Sequence, residues 1–200
     1  MQPSDSLPPA YFDQVYAANA DPWHFETSNY EHAKYAATLA ALPRQHFDCG
    51  LEIGCSIGVL TALLAPRCHQ LLAVDVSAAA LQTARQRLAA APQVLLRQMA
   101  LPHHFPRGDF DLVVLSEVGY FWCEADLALA AQRMVAALRP AGVLLLAHWT
   151  PLVSDFPLTG DAVHRHFLQY AGPGGVLRHL VAQREATYRL DVLERAVQQS

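Results

Sequence analysis

The sequence has little charge: 14 basic and 18 acidic side chains amount to 16% of 200 residues. No run of Lys or Arg could track a phosphate backbone, so nucleic acid is not an expected partner. No stretch reaches the roughly 18 uninterrupted apolar residues of a membrane span. The polar, Pro-rich start from Met1 to Pro9 lacks the basic segment and apolar core of a secretory signal. A cytoplasmic protein that does not engage membranes is expected. Cysteine is scarce, with only Cys49, Cys55, Cys68 and Cys123, at spacings of 6, 13 and 55. That pattern offers no close ligand pair for zinc and no redox dithiol motif, so no metal is expected and a reduced compartment fits. Internal repeats are also absent.

Apolar residues are plentiful, at 52%, enough to drive folding without a partner. The length predicts one domain over 1–200, as a monomer or homodimer. It divides into an N-terminal helical cap (1–45), a core (46–150) and a C-terminal helix and hairpin (151–200). In the core, near-continuous apolar runs, as of strands covered on both faces, alternate with helical patterns: Gly50–Ile53, Leu71–Val74, Val94–Leu96, Phe110–Leu115 and Val143–Ala147. Helices are predicted over Gly58–Ala65, Ala78–Ala91 with Ser77 as N-cap, and Glu124–Leu138. In Arg139-Pro140-Ala141-Gly142, Pro is expected to stop the third helix and Gly to permit the turn into strand five. Two helices, about Pro9–Asn19 and Asn29–Leu42, precede the core; a helix over Gly160–Tyr170 and a hairpin of Leu177–Gln183 with Tyr188–Arg195 follow it. The fold class is therefore α/β: a Rossmann-like, doubly wound, mostly parallel seven-stranded sheet with helices on both faces and an antiparallel C-terminal hairpin.

The stretch Leu51-Glu52-Ile53-Gly54-Cys55-Ser56-Ile57-Gly58 closes the first strand and opens a helix. Its glycines permit a tight turn and close ligand approach. A dinucleotide fingerprint would place a third Gly at Val59, one residue later than Gly58. Glu52 suits a cationic amino group and repels a pyrophosphate, favouring a nucleoside amino acid over a dinucleotide. Asp75 lies 17 residues beyond Gly58 (75 minus 58) at the end of the second strand, where a carboxylate either accepts ribose hydroxyls or caps a helix. Gly54–Gly58, Asp75, Gln98–Ala100, Ser116–Tyr120 and His148–Thr150 all fall at strand ends, and one crevice is expected to gather them.

In order and spacing, Glu52-x-Gly54-Cys55-x-x-Gly58, Asp75 and Phe110-Asp111-Leu112-Val113-Val114 resemble the class I S-adenosylmethionine-dependent methyltransferases, over about residues 30–150. Asp21-Pro22-Trp23, Tyr30-Glu31-x-x-Lys34-Tyr35, Leu51–Cys55 and Ser116-Glu117-Val118-x-Tyr120 are similar to the rhizobial nodulation N-methyltransferases, which methylate the free amine of a terminal glucosamine. The resemblance implies S-adenosylmethionine as cofactor, S-adenosylhomocysteine as product and a small-molecule acceptor. It implies that Glu52, Gly54, Cys55, Ser56 and Gly58 hold the methionine portion, Asp75 the ribose, and Val76, Met99 and Ala100 the adenine. Ser56 replaces the usual middle Gly, and Met99 stands where an acidic residue often binds adenine. Trp23 and Lys34 are implied to close the pocket, Lys34 reaching the cofactor carboxylate; a solvated Lys and a core Trp are the alternatives.

Methyl transfer from a sulfonium needs an aligned acceptor with a free lone pair, and an ammonium acceptor must first lose a proton. Glu117, Tyr120 and His148 are the candidate catalytic groups, Glu117 also being placed to touch the cofactor. His148 is the best matched base by intrinsic pKa, and its alternative is a structural histidine. Tyr120, Phe121, Trp122 and Trp149 either stack on a sugar or aromatic acceptor or pack as core. Asp161 and His164 either border the crevice or belong to a capped helix, and no catalysis is assigned to them. O-methyl transfer, a nicotinamide oxidoreductase and a non-catalytic nucleoside-binding module are the competing functions.

Overall fold

The apolar runs form strands as expected, but only some are covered on both faces: the strand over Val94–Leu96 lies at the sheet edge and leaves Leu95 50% exposed. The computed structural model describes residues 3–197. These divide into two compact units, one of Pro8–Ala100 and the other of Leu101 onward with the segment ahead of Pro8.

The first unit contains α1 (Pro9–Ala18), α2 (Asn29–Ala41), β1 (Phe47–Ile53), α3 (Val59–Leu64), β2 (Cys68–Asp75), α4 (Ala78–Arg87) and β3 (Val94–Gln98). β1 and β3 both pair in parallel with β2, in the order β3-β2-β1. Ser77 caps α4 as the sequence predicts, its Oγ accepting from the Ala80 N–H at 3.4 Å. α4 ends four residues short of the expected Ala91. Pro92 disfavours helical geometry at Ala91, so the helix could not have run to the expected end.

The second unit contains β4 (Phe110–Ser116), α5 (Glu124–Ala137), β5 (Leu138–Trp149), α6 (Gly160–Leu168), β6 (Leu177–Arg184) and β7 (Tyr188–Arg195). β4 runs parallel to β5, and β7 lies antiparallel between β5 and β6. α5 turns Leu127, Ala130, Ala131 and Met134 inward, and Val143–Ala147 are fully buried. The architecture is the expected Rossmann-like α/β fold, with seven mostly parallel strands and an antiparallel C-terminal hairpin.

The start of strand five departs from expectation. β5 begins at Leu138 and carries Arg139-Pro140-Ala141-Gly142 within it, while pairing with β4 jumps from Phe110↔Leu138 to Leu112↔Val143. The expected turn is thus an irregularity inside a strand. Ala141 takes the left-handed conformation, at φ +59°. Gly142 serves close approach, because a Cβ there would meet the Arg139 carbonyl oxygen at 2.7 Å. Gly142→Ala is expected to cost about 1–3 kcal/mol through that backbone clash. A urea midpoint equal to that of the parent would show that the strand yields to the methyl group.

Candidate functional site

The turn after β1 has three left-handed residues, Gly54 (φ +75°), Ser56 (φ +51°) and Gly58 (φ +80°). Glycine accepts this conformation freely, whereas Ser56 incurs about 1–2 kcal/mol and must be held there. Two contacts hold it. Its N–H donates to Asp75 Oδ2 at 2.8 Å, and its Oγ lies 2.5 Å from the Tyr16 hydroxyl. The Gly54 and Cys55 N–H groups donate to the Val74 carbonyl, and Arg87 Nε donates to the Ile57 carbonyl. Gly58 must be small as well as left-handed, since a Cβ would stand 3.1 Å from both Ala84 Cβ and Leu88 Cδ1.

Asp75 closes β2 and is buried; its Oδ1 accepts from the Ser77 N–H at 2.9 Å while Oδ2 serves Ser56. Burial raises its pKa, and the backbone N–H groups of Ser77, Ser56 and Val76 pull it back. Glu52 is 2% exposed, and its Oε2 has no hydrogen-bond partner. Burial pushes its pKa up to about 7, with Thr61 opposing and Asp75 reinforcing the shift. An acceptor oxygen buried beside a second carboxylate is costly unless a cation or donor meets it. Val76 and, beyond β3, Met99 and Ala100 are half-buried. The Met99 N–H donates to the Asp75 carbonyl, and Gln98 Nε2 to the Val76 carbonyl.

Cys55 is placed differently from the other loop residues. Its side chain packs into the core with Ala73 and Leu81, and its N–H is spent on Val74. The residue therefore anchors the loop instead of presenting a group to a ligand.

The aromatic segment after α1 folds around Asp21, whose carboxylate accepts from the Phe25 and Glu26 N–H groups. Trp23 is partly buried against Phe25 and Tyr16, in a cluster with Ile57 and Ala80. Lys34 is 2% exposed, which overturns the solvated alternative. Its Nζ donates to Glu31 Oε1 at 3.0 Å and lies 5.1 Å from the centre of the Tyr30 ring. The sequence reading missed Tyr16. Its position four residues after Phe12 on α1 is the local signal of an inward face, but nothing local reports a hydroxyl contact 40 residues away.

In the second unit, Glu117 follows β4 in a left-handed conformation, φ +56°. Its N–H donates to the Ala147 carbonyl, and its Oε2 accepts from the Tyr120 hydroxyl at 2.5 Å and the Trp149 N–H at 2.9 Å. Tyr120 stacks on Phe156, with centroids 5.0 Å apart and planes 10° apart. His148 is fully buried. Its Nε2 accepts from the Gly119 N–H at 3.1 Å and its Nδ1 lies 3.1 Å from His164 Nε2. The lone pair that a general base needs is therefore already committed, and the structural alternative describes this histidine. Asp161 pairs with Arg184, and Thr159 caps α6.

The raised pKa of Glu52 makes stability depend on pH. Below about 4.5 the group is protonated in both folded and unfolded chains; between about 4.5 and 7 only the folded chain keeps the proton, so stability falls as pH rises through this window. Glu52→Gln should therefore gain stability relative to the parent between pH 5 and pH 8, by on the order of 1–3 kcal/mol, in urea melts without ligand. Parallel pH profiles would mean that the carboxylate ionises at its ordinary pKa.

The family model of Nodulation protein S (NodS) matches residues 13–153. The Nodulation protein S of Bradyrhizobium diazoefficiens is 31% identical over 62% of this chain and 61% of its own length. The chain thus spans about three-fifths, or less, of the nodulation proteins it matches. A solved structure from Pseudomonas syringae, described as a candidate methyltransferase, is 40% identical over 83% of this chain and 99% of that one, with a TM-score of 0.73. The N-methyltransferase NodS of Bradyrhizobium japonicum WM9, solved with S-adenosyl-L-homocysteine, is 23% identical over 94% of this chain and 98% of that one; its TM-score of 0.81 marks a shared fold. The chain belongs to the NodS family and has the Rossmann-like fold of S-adenosylmethionine-dependent methyltransferases.

Proposed function

We propose that this chain transfers a methyl group from S-adenosylmethionine to the nitrogen of a small molecule, a deacetylated amino sugar being the leading acceptor. One observation carries the cofactor assignment: Glu52, buried, with an oxygen that has no hydrogen-bond partner. That oxygen fits the ammonium of a methionine moiety and would repel the pyrophosphate of a dinucleotide. Membership of the NodS family supports the nitrogen acceptor.

The residues fit the cofactor. Glu52 would hold the amino group, and the loop from Gly54 through Ser56 to Gly58 would lie against the methionine portion. Asp75 would hold the ribose; a carboxylate has about four lone-pair sites, more than its backbone N–H partners fill. Val76, Met99 and Ala100 are assigned to the adenine, Lys34 to the cofactor carboxylate and Trp23 to the closure of the pocket. Bound S-adenosylmethionine supplies a methyl group already activated by its sulfonium.

The protein's remaining work is to orient the acceptor and free its lone pair. We assign these tasks to Glu117 and Tyr120. The Glu117 carboxylate, steadied by the Tyr120 hydroxyl and the Trp149 N–H, is a charge to which an ammonium would bind and give up a proton. Phe156, half-buried and stacked on the buried Tyr120 ring, offers an aromatic face suited to a sugar ring.

Calorimetric titration with S-adenosylhomocysteine, with NADH as control, tests the cofactor. Micromolar binding of the first and none of the second are expected, with affinity rising about tenfold from pH 6 to pH 8 as Glu52 ionises. No binding would sink the assignment. Asp75→Ala should weaken that binding by about 1–3 kcal/mol. Glu117→Gln should leave it intact and lower turnover of an amino-sugar acceptor roughly 100-fold or more. Turnover of phenols or carboxylates alone would overturn the choice of nitrogen.

A further inference from the structure

Behind the Glu117–Tyr120 turn lies a chain of buried polar side chains that the proposed chemistry does not use. His148 on β5, His164 on α6 and Asp191 on β7 are all fully buried. Their contacts run in one direction. The Gly119 N–H donates to His148 Nε2, so that nitrogen carries the lone pair and Nδ1 carries the proton. His148 Nδ1 therefore donates to His164 Nε2 at 3.1 Å, which leaves the His164 proton on Nδ1, 2.5 Å from Asp191 Oδ2. Asp191 ends the chain, also accepting from Arg189 Nε and from His179 Nε2, both at 2.6 Å.

The backbone is fitted around these contacts. At Gly119 a Cβ would come within 2.6 Å of Val163 Cγ1 and 3.1 Å of His148 Nε2; at Gly160 it would meet the Trp149 carbonyl oxygen at 2.2 Å and His148 Cβ at 3.0 Å. One glycine lets the turn reach His148, and the other lets α6 start close enough to bring His164 onto it. A buried tripartite network with every member satisfied is worth keeping only as a unit, because removing one member strands the others.

We propose that His148, His164 and Asp191 form a positioning relay that locks both histidines as neutral Nδ1–H tautomers and holds the Gly119 N–H. The relay thereby sets the strained turn that presents Glu117 and Tyr120 to the acceptor. The last step rests on the methyltransferase function proposed above. Burial lowers the His164 pKa, against the pull of Asp191. At Asp191 burial pulls the carboxyl up, but His164 and Arg189 outweigh it and hold it below the usual range. His164 therefore stays neutral and Asp191 anionic through the physiological range.

Nitrogen-15 NMR of the histidine rings in the full chain tests the relay without turnover. His148 and His164 should both report the Nδ1–H tautomer from pH 6 to pH 8, with slow hydrogen exchange at the Gly119 amide. In Asp191→Asn the tautomers should mix and that amide should exchange faster. The same variant should bind S-adenosylhomocysteine within about twofold of the parent while amine turnover falls roughly 10- to 100-fold, mostly in kcat. If Asp191→Asn does not fold, His148→Gln and His148→Asn replace it. Gln can place an acceptor oxygen at the Nε2 position and keep Gly119, so its exchange should stay the slower of the two; Asn can only donate toward His164. An Nε2–H tautomer at His148, equal Gly119 exchange in all proteins, or undiminished turnover in a folded Asp191→Asn would overturn the relay. Absence of S-adenosylhomocysteine binding in the parent would instead refute the proposed function, with the tautomers and Gly119 exchange still deciding the lock.

Discussion

The Asp75 carboxylate is the constraint on which the turn after β1 depends. It is held at the end of β2, takes the N–H of Ser56 on one oxygen and that of Ser77 on the other, and so ties the glycine turn after β1 to the start of α4. Without it, Ser56 would keep only its contact with the Tyr16 hydroxyl to hold it left-handed. Burial raises the pKa of Glu52 and of the Tyr16 hydroxyl, and the charge of Asp75 adds to both shifts. Two carboxylates sharing a dry region disfavour each other's ionisation. A ligand with a cationic amino group and two ribose hydroxyls would relieve both, one through charge and the other through donors.

Both units use the same local device to present a polar group beyond a strand. Ser56 after β1 and Glu117 after β4 are left-handed non-glycine residues, each followed two positions on by a glycine that must approach a neighbour closely. The strain is met differently. Ser56 is held by Asp75 and by the hydroxyl of Tyr16 on α1, while Glu117 is held by the Ala147 carbonyl and, through its own carboxylate, by Tyr120 and the Trp149 N–H. Backbone strain of this kind persists only where its surroundings over-determine it, and it gathers at functional positions.

How much of this could be read in the sequence follows from the range of each interaction. Strand positions came from apolar runs, the cap of α4 from Ser77 and the C-terminal hairpin from its two β-rich runs, all signals confined to a few neighbours. The positions of Glu52, Asp75 and Glu117 at strand ends were legible for the same reason. The Pro140–Gly142 segment was misread because Gly has two uses, a left-handed turn and a close approach, and composition does not distinguish them. Tyr16 and the histidine relay were not legible, since 40 residues separate Tyr16 from Ser56, and 16 and 27 separate the relay's members. Asp191 within Leu190-Asp191-Val192 was the one visible clue: a carboxylate in a buried run requires partners.

The same distinction separates a histidine that titrates from one that transmits. His148 has the intrinsic pKa of a base, yet protonating its Nε2 would break the bond to Gly119 and bury a cation against a chain already oriented toward Asp191. The Nε2 lone pair is thus engaged in holding the turn and is not open to a substrate proton. The acceptor's proton must therefore leave by a group whose lone pairs are less committed. We assign that task to Glu117, whose carboxylate is oriented by the Tyr120 hydroxyl and the Trp149 N–H. Under the proposed function, proton removal and positioning would be divided between neighbouring residues of one turn: Glu117 would carry the charge, and the relay behind Gly119 would fix where that charge stands.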